Sequence, residues 1–173
     1  MRQLFASILE ILETLVIVLV SIYFVYSFIA QPFLVQGASM EPNFESGDYL
    51  LVDEVTYRFR EPERGEVIVF RNPANENEFY IKRVVGLPGE TVIIQDGQVT
   101  IDGEPIKEGY LSDGQNLKGE YIFKLAEGEH FVMGDNRAQS FDSRSWGPLD
   151  EDLIIGIVRL RFWPPTTFAI LNP

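Results

Sequence analysis

Apolar residues run almost unbroken over residues 14–30 (TLVIVLVSIYFVYSFIA), seventeen positions without a charge, before the pattern breaks into short alternating segments. The apolar positions go all the way round a helix and leave no polar stripe, which predicts a membrane-crossing helix rather than one half-buried on a soluble core. At about 1.5 Å rise per residue it spans roughly 25 Å, against a hydrocarbon layer of about 30 Å. Leu12 before it and Phe33, Leu34 and Val35 after it make up the difference. Residues 4–13 keep the helical period, so the helix can start near Leu4. Tyr23, Tyr26 and Phe28 fall where aromatic rings would meet the membrane interface, and Pro32 is expected to end the helix. A cleaved secretory leader has a shorter apolar core and small residues before its cut, whereas here the run is longer and Phe28 occupies such a position. Arg2 and the amino terminus are the positive charges on the short side, and Glu10 and Glu13 partly offset them, so charge alone orients the helix weakly.

Beyond Pro32 the period changes to that of strands. Strands are predicted at 48–52, 66–70, 79–85, 91–94, 98–101, 121–125, 130–133 and 154–162. Asp96-Gly97 and Asp102-Gly103 follow β-branched runs and are hairpin signals, because type I′ turns need positive φ. No helix longer than two turns is expected after the first. The predicted fold is mostly β: an N-terminal single transmembrane helix followed by an antiparallel β-barrel-like or folded-sheet domain. The tail and anchor occupy residues 1–31 and the β-rich domain 32–173, with a small β insertion at about 96–124.

Composition removes several kinds of chemistry. The 173 residues carry a formal net charge of −12, which repels phosphate backbones and argues against nucleic-acid binding. Cysteine is absent, so there is no Cys nucleophile, thiolate metal site or disulfide. A Ser-His-Asp triad or a histidine-rich zinc site would rest entirely on His130, the one histidine, which reads as a packing residue in a strand. Neither a metal nor another cofactor is expected.

Three clusters carry candidate chemistry. Gly37-Ala38-Ser39-Met40-Glu41-Pro42 places a serine in an exposed turn whose backbone N–H groups point outward and suit an oxyanion. Serines in Gly/Pro turns are common, so this signal alone is weak. Lys82 sits inside an apolar strand between Tyr80-Ile81 and Val84-Val85. One reading is a strand with a solvated lysine and a paired Arg83; the other is a buried, neutral Lys82. A free lysine, with a pKa of about 10.4, is almost wholly charged at pH 7 and useless as a base. Burial can lower that value by several units and supply the amine that a Ser–Lys dyad needs, which an arginine cannot do. The third cluster, from Gly134-Asp135-Asn136-Arg137 to Arg144, reads either as a solvated loop or, being flanked by Met133 and Trp146, as a hydrogen-bonded loop against the core.

In this order the clusters resemble the bacterial type I signal peptidases. The resemblance rests on Ser39-Met40-Glu41-Pro42, the run from Arg64-Gly65 to Phe70, the run from Tyr80-Ile81-Lys82-Arg83 to Gly89, and Gly134-Asp135-Asn136-Arg137 with Ser140, Asp142, Ser143 and Arg144. The upstream apolar segment and Arg161-Phe162-Trp163-Pro164 also fit, so the likeness covers nearly the whole chain. It implies a membrane-bound serine endopeptidase that removes signal peptides from exported preproteins, without cofactor. Ser39 would be the nucleophile and Lys82 the general base. Ser140 would orient Lys82, and Asp142 would form an ion-pair network with Arg83 and Arg144. Met40 would help cover the lysine. The Ser39 N–H would donate to the oxyanion. Gly37 stands where many relatives carry Ser, so a backbone N–H there or another group would supply the second donor. Val35, Phe44, Tyr80 and Ile81 would form shallow apolar walls selecting small residues at the first and third positions before the cut. The resemblance further implies a single pass through the cytoplasmic membrane, with the N-terminus cytoplasmic and the catalytic domain on the outer face, in contact with the lipid bilayer. Lysine rather than histidine at position 82 places the resemblance with the bacterial branch. Rival readings are a related Ser–Lys maturation peptidase, a self-cleaving repressor, or a non-catalytic anchored β-domain.

Overall fold

The apolar run folds as one helix, α1 (Arg2–Phe28), in a computed structural model that describes residues 2–111, 117 and 119–171, apart from the side chains of Arg2, Leu4, Ser27 and Phe28. The ring expected of Phe28 at the interface, and residues 112–116 and 118 of the expected insertion, therefore lie outside the described residues. The segment Phe5–Tyr26, 22 residues, is the one helix among the described residues long and apolar enough to cross a membrane. At about 1.5 Å per residue it spans roughly 33 Å. Its large side chains, such as Ile8, Leu15, Leu19 and Phe24, are exposed, and none of its described side chains joins a buried core cluster.

Pro32 does not end the helix. The chain leaves α1 at Phe28 and enters β1 (Ala30–Leu34), which pairs antiparallel with β2 (Tyr49–Asp53), Ala30 opposite Asp53 and Leu34 opposite Tyr49. Ladder pairing captures the chain four residues earlier than the proline would stop it. Pro32 is tolerated because β1 is an edge strand. Phe33 and Leu34 thus belong to a strand, and the helix gains its length at the N-terminal side instead.

The remaining strands are β3 (Val67–Asn72), β4 (Asn75–Gly86), β5 (Thr91–Gln95), β6 (Gln98–Ile101), β7 (Glu104–Pro105), β8 (Tyr121–Lys124), β9 (Glu129–Met133), β10 (Leu149–Asp150), β11 (Ile154–Trp163) and β12 (Ala169–Ile170). Eight form a curled sheet in the order β1-β2-β11-β3-β4-β9-β10, with β12 beside β11. Four form a smaller sheet, β7-β6-β5-β8, and every pairing is antiparallel. The large sheet does not close into a barrel. Asp96-Gly97 (φ 52° and 79°) and Asp102-Gly103 (φ 51° and 89°) are positive-φ pairs at the two hairpin turns, as their sequence predicts.

Alternation decides where the core lies. In β3, Ile68 and Phe70 pack with Val84, Val132 and Leu149, while Val67 and Val69 face a second cluster with Val35, Met40, Phe44, Leu50, Val52 and Val158. The smaller sheet covers a third cluster that includes Val85, Phe131 and Met133. Phe131 and Met133 come from the strand that runs directly into the loop 134–144, so that loop is mounted on fully buried residues. After it, the short helix α2 (Ser143–Trp146) returns the chain to the core.

Candidate active site

Between β1 and β2 the chain makes a loop whose base is closed by Val35 N–H to the Asp48 carbonyl (2.9 Å) and Gly47 N–H to the Val35 carbonyl (3.0 Å). Met40 and Phe44 anchor it in the core, 1% and 2% exposed. Gly37 adopts φ +91°, a left-handed conformation that a glycine supplies without strain. Ser39 sits at the top of this loop and is gripped from the other side: Asn136 N–H donates to the Ser39 carbonyl and Asn136 Nδ2 to the Ala38 carbonyl, each at 3.0 Å. Gly134 allows this close approach, since a Cβ there would collide with the Ser39 carbonyl and the Ser140 side chain.

Lys82 comes from β4, opposite Ile68 of β3. Its Nζ lies 2.8 Å from Ser39 Oγ and donates to the Ile81 carbonyl at 2.8 Å. The residue is 4% exposed. Burial lowers its pKa to about 8, against the opposing pull of the Asp142 and Asp135 carboxylates, neither of which pairs with it directly. The structure therefore has the lysine of the buried reading, not the solvated one.

The supporting residues divide into those that meet as expected and those that do not. Asp142 accepts from Arg144 Nε and Nη2, both at 2.8 Å, and from Gly134 N–H at 3.0 Å. Burial pushes its carboxyl up, but these bonds outweigh it and hold the carboxyl below its ordinary value. Arg83 does not join Asp142. Strand alternation turns it away from Lys82 and onto Asp135 (2.6 and 2.8 Å), with its guanidinium 4.1 Å from the Tyr110 ring. Ser140 makes no hydrogen bond to Lys82; its hydroxyl is buried without a partner of ordinary geometry, though close enough to Asp142 to help lower that pKa. Met40 lies in the core cluster beneath the serine loop.

The dyad stands at one end of a cleft of about 670 Å³ between β1 and the N-terminal half of β4. β9 pairs with β4 only from Arg83 to Gly86, so the stretch before Lys82 has a free edge, and so has β1. Val35, Tyr80 and Ile81 line the cleft as expected, while Phe44 stands behind it in the core. Phe33 and Phe79 meet across its other end, ring centroids 5.5 Å apart. The Ser39 N–H donates to no group among the described residues, and the Gly37 N–H makes one long bond, 3.4 Å, to Ser46 Oγ. The sequence assigned no individual site role to Asp135, Asn136 or Phe79, and Phe33 was expected in the membrane span; the Gly-Asp-Asn run marked a tight loop but not what it would hold. His130 is buried in β9, and neither ring nitrogen has a hydrogen-bond partner. Among the described residues no group of three His, Asp or Glu is placed to hold a metal.

Residues 8–163 match the family described as signal peptidase, peptidase S26. A signal peptidase I of Leptolyngbya laminosa is 36% identical over 97% of this chain and 86% of its own length. Signal peptidase IB of Staphylococcus aureus strain COL is 36% identical over 94% of this chain and 93% of its own. The crystal structure of a signal peptidase I from Enterococcus faecalis V583 superposes with a TM-score of 0.50 at 32% identity, covering 57% of this chain and 97% of that one.

Proposed function

The chain belongs to the S26 signal peptidase family, serine endopeptidases that remove signal peptides, and within that activity we propose that Ser39 and Lys82 carry the chemistry at the surface of a membrane that α1 crosses. The observation that carries this reading is the 2.8 Å separation of Ser39 Oγ from an amine buried among apolar groups and free of a direct carboxylate partner.

The neutral Lys82 amine accepts the Ser39 hydroxyl proton as Oγ forms a bond to the scissile carbonyl carbon. Negative charge moves to the carbonyl oxygen, where the unengaged Ser39 N–H donates to it, with the weakly held Gly37 N–H as the second donor. The C–N bond then breaks as Lys82 returns the proton to the leaving amine, leaving an acyl-serine. Water, deprotonated by the same amine, attacks that ester and restores both residues. Asp142 with Arg144, and Asp135 with Arg83, hold the loops and transfer no proton. Ser140 fills the buried space against Gly134 and near Asp142. The free edges of β1 and β4 offer backbone groups to an extended peptide, with Val35, Tyr80 and Ile81 as its apolar walls.

The exposed rings of Phe162, Trp163 and Phe168 suit the membrane interface, and Ser39 follows the end of α1 by only eleven residues. Signal helices end in the same plane, so an outward-facing catalytic domain with a cytoplasmic N-terminus brings cut and nucleophile together. The test is to incubate the purified protein and its Ser39→Ala and Lys82→Ala variants with a preprotein and to sequence the new N-terminus. Cleavage after the signal peptide by the wild type and loss in both variants is expected; full cleavage by either variant removes it from the mechanism.

A further inference from the structure

Among the described residues sixteen line the cleft, and two of these carry acid or amine groups: Lys82 at its catalytic end and Glu78 at the other. With the Lys82 amine neutral in its working state, Glu78 supplies the carboxylate that a bound peptide meets there. Glu78 forms no ion pair among the described residues. It is held in place instead by two amides, Asn72 Nδ2 at 3.2 Å and Asn75 Nδ2 at 2.9 Å, which orient the carboxylate and leave it lone pairs to spare. Alternation puts Glu78, Tyr80 and Lys82 on one face of β4, and four residues of strand set the Cα atoms of Glu78 and Lys82 about 13 Å apart.

The direction in which a substrate lies follows from the contacts across the cleft. One end is Ser39 against Lys82, and the other is Phe33 against Phe79. From Phe33 the chain leads back within three residues to Ala30 and the end of α1, so the Phe79–Glu78 end is the one nearer the membrane helix. On the proposed function, a signal helix ends at the same surface as α1, and the extended segment that follows it must enter at Phe79–Glu78 and reach Ser39 last. Residues before the cut therefore lie against Tyr80, Phe79 and Glu78 in turn.

We propose that Glu78 sets a charge preference in the substrate, favouring a basic and rejecting an acidic side chain four to five residues before the scissile bond. This rests on the signal-peptidase reading and adds to it a discriminating residue outside the Ser39–Lys82 pair. The partner is a lysine or arginine side chain on an otherwise ordinary cleavage segment. Because the carboxylate is exposed, the interaction is screened by salt.

Three preproteins that differ at the fourth and fifth positions before the cut, carrying Lys, Gln or Glu there, test the proposal. The quantity read is the ratio of kcat/KM for the Lys substrate to that for the Glu substrate, so that any overall change in a variant's activity cancels. In the wild type this ratio is expected to be about tenfold at low ionic strength and to shrink toward one at about 0.5 M salt. Glu78→Gln is expected to bring it near one, and Glu78→Lys to invert it. A wild-type ratio near one, a ratio insensitive to salt, or one unchanged in Glu78→Gln overturns the proposal. Failure of the wild type to cleave the Gln substrate overturns instead the function on which it rests.

Discussion

At pH 7 only about a tenth of Lys82 is neutral if its pKa is about 8, and on the proposed mechanism that fraction limits the attack by Ser39. We expect kcat/KM to climb about tenfold per pH unit below 7 and to level off above a midpoint near 8. A profile that stays flat from pH 6 to 9 would remove Lys82 as the base. The same burial has a stability consequence of definite sign. Between the folded value of about 8 and the unfolded value of 10.5 the unfolded chain binds a proton that the native chain lacks, so this residue's contribution rises with pH across that window. Below it, the native state bears the cost of burying an ammonium, about 3 kcal/mol by that difference. Lys82→Met, which keeps the length and drops the charge, should be inactive yet melt higher than wild type at pH 7. Lys82→Arg should be inactive and melt lower than Met, because its buried charge cannot be shed. Calorimetry on the three proteins separates these outcomes. The burial of Lys82 beside Ser39 was one of two readings open in the sequence, because a lysine among Tyr80, Ile81, Val84 and Val85 conflicts with its surroundings, and a conflict is visible in sequence. Asn136 raised no such conflict: an asparagine in a turn looks the same whether it faces water or grips the Ser39 carbonyl.

Elements were legible in proportion to their regular pattern. Strands with alternating apolar residues fell close to their predicted places, and the two Asp-Gly turns were read from positive-φ chemistry alone. β1 was not, because its five residues follow an apolar helix and contain Pro32; only pairing with β2, distant in sequence, makes it a strand. Phe44 was placed on the cleft wall by the resemblance alone, and the structure puts it behind the loop because the pattern of a short irregular loop does not tell its front from its back. The loop 134–144 combines bonds within itself with tertiary contacts to the Ser39 loop and Arg83, and two substitutions probe it. Gly134→Ala places a methyl against the Ser39 carbonyl and Ser140, so the loop must retreat from the nucleophile. A displacement of about 1 Å costs on the order of a hundredfold in rate, so kcat should fall by about that factor while the pH midpoint stays near 8. A shifted midpoint would mean that the Lys82 environment, not the Ser39 position, had changed. Asp142 supports the loop through Arg144 and Gly134 N–H and caps α2. Its folded carboxyl lies below the unfolded value, so its contribution is present above about pH 4 and is lost as pH falls through the folded value. Asp142→Asn should lower Tm at pH 7, with the gap to wild type closing on acidification toward pH 3.

For the whole molecule the question is what α1 does for a site to which it donates no side chain. None of its described side chains belongs to the three buried clusters, and the junction to β1 is held by backbone bonds such as Glu54 N–H to the Ile29 carbonyl at 3.1 Å. The catalytic domain therefore owes its core to residues after the helix, and the helix is free to act as a tether. A tether changes encounter, not chemistry: it replaces a three-dimensional search with a local one and raises the effective concentration of membrane-held substrate. A chain beginning at Ile29 should fold, and should cleave a short soluble peptide with kcat/KM within about threefold of the full protein. With a preprotein whose signal helix is embedded in vesicles, the same truncation should lose about a hundredfold or more. Replacing Trp163 and Phe168 by Ser in the truncated chain should remove the vesicle cleavage that remains, since on the proposed function those exposed rings are its other hold on the interface. Equal losses on soluble peptide and embedded preprotein would show that α1 shapes the site instead of delivering it, and the separation of anchor from catalyst would fail.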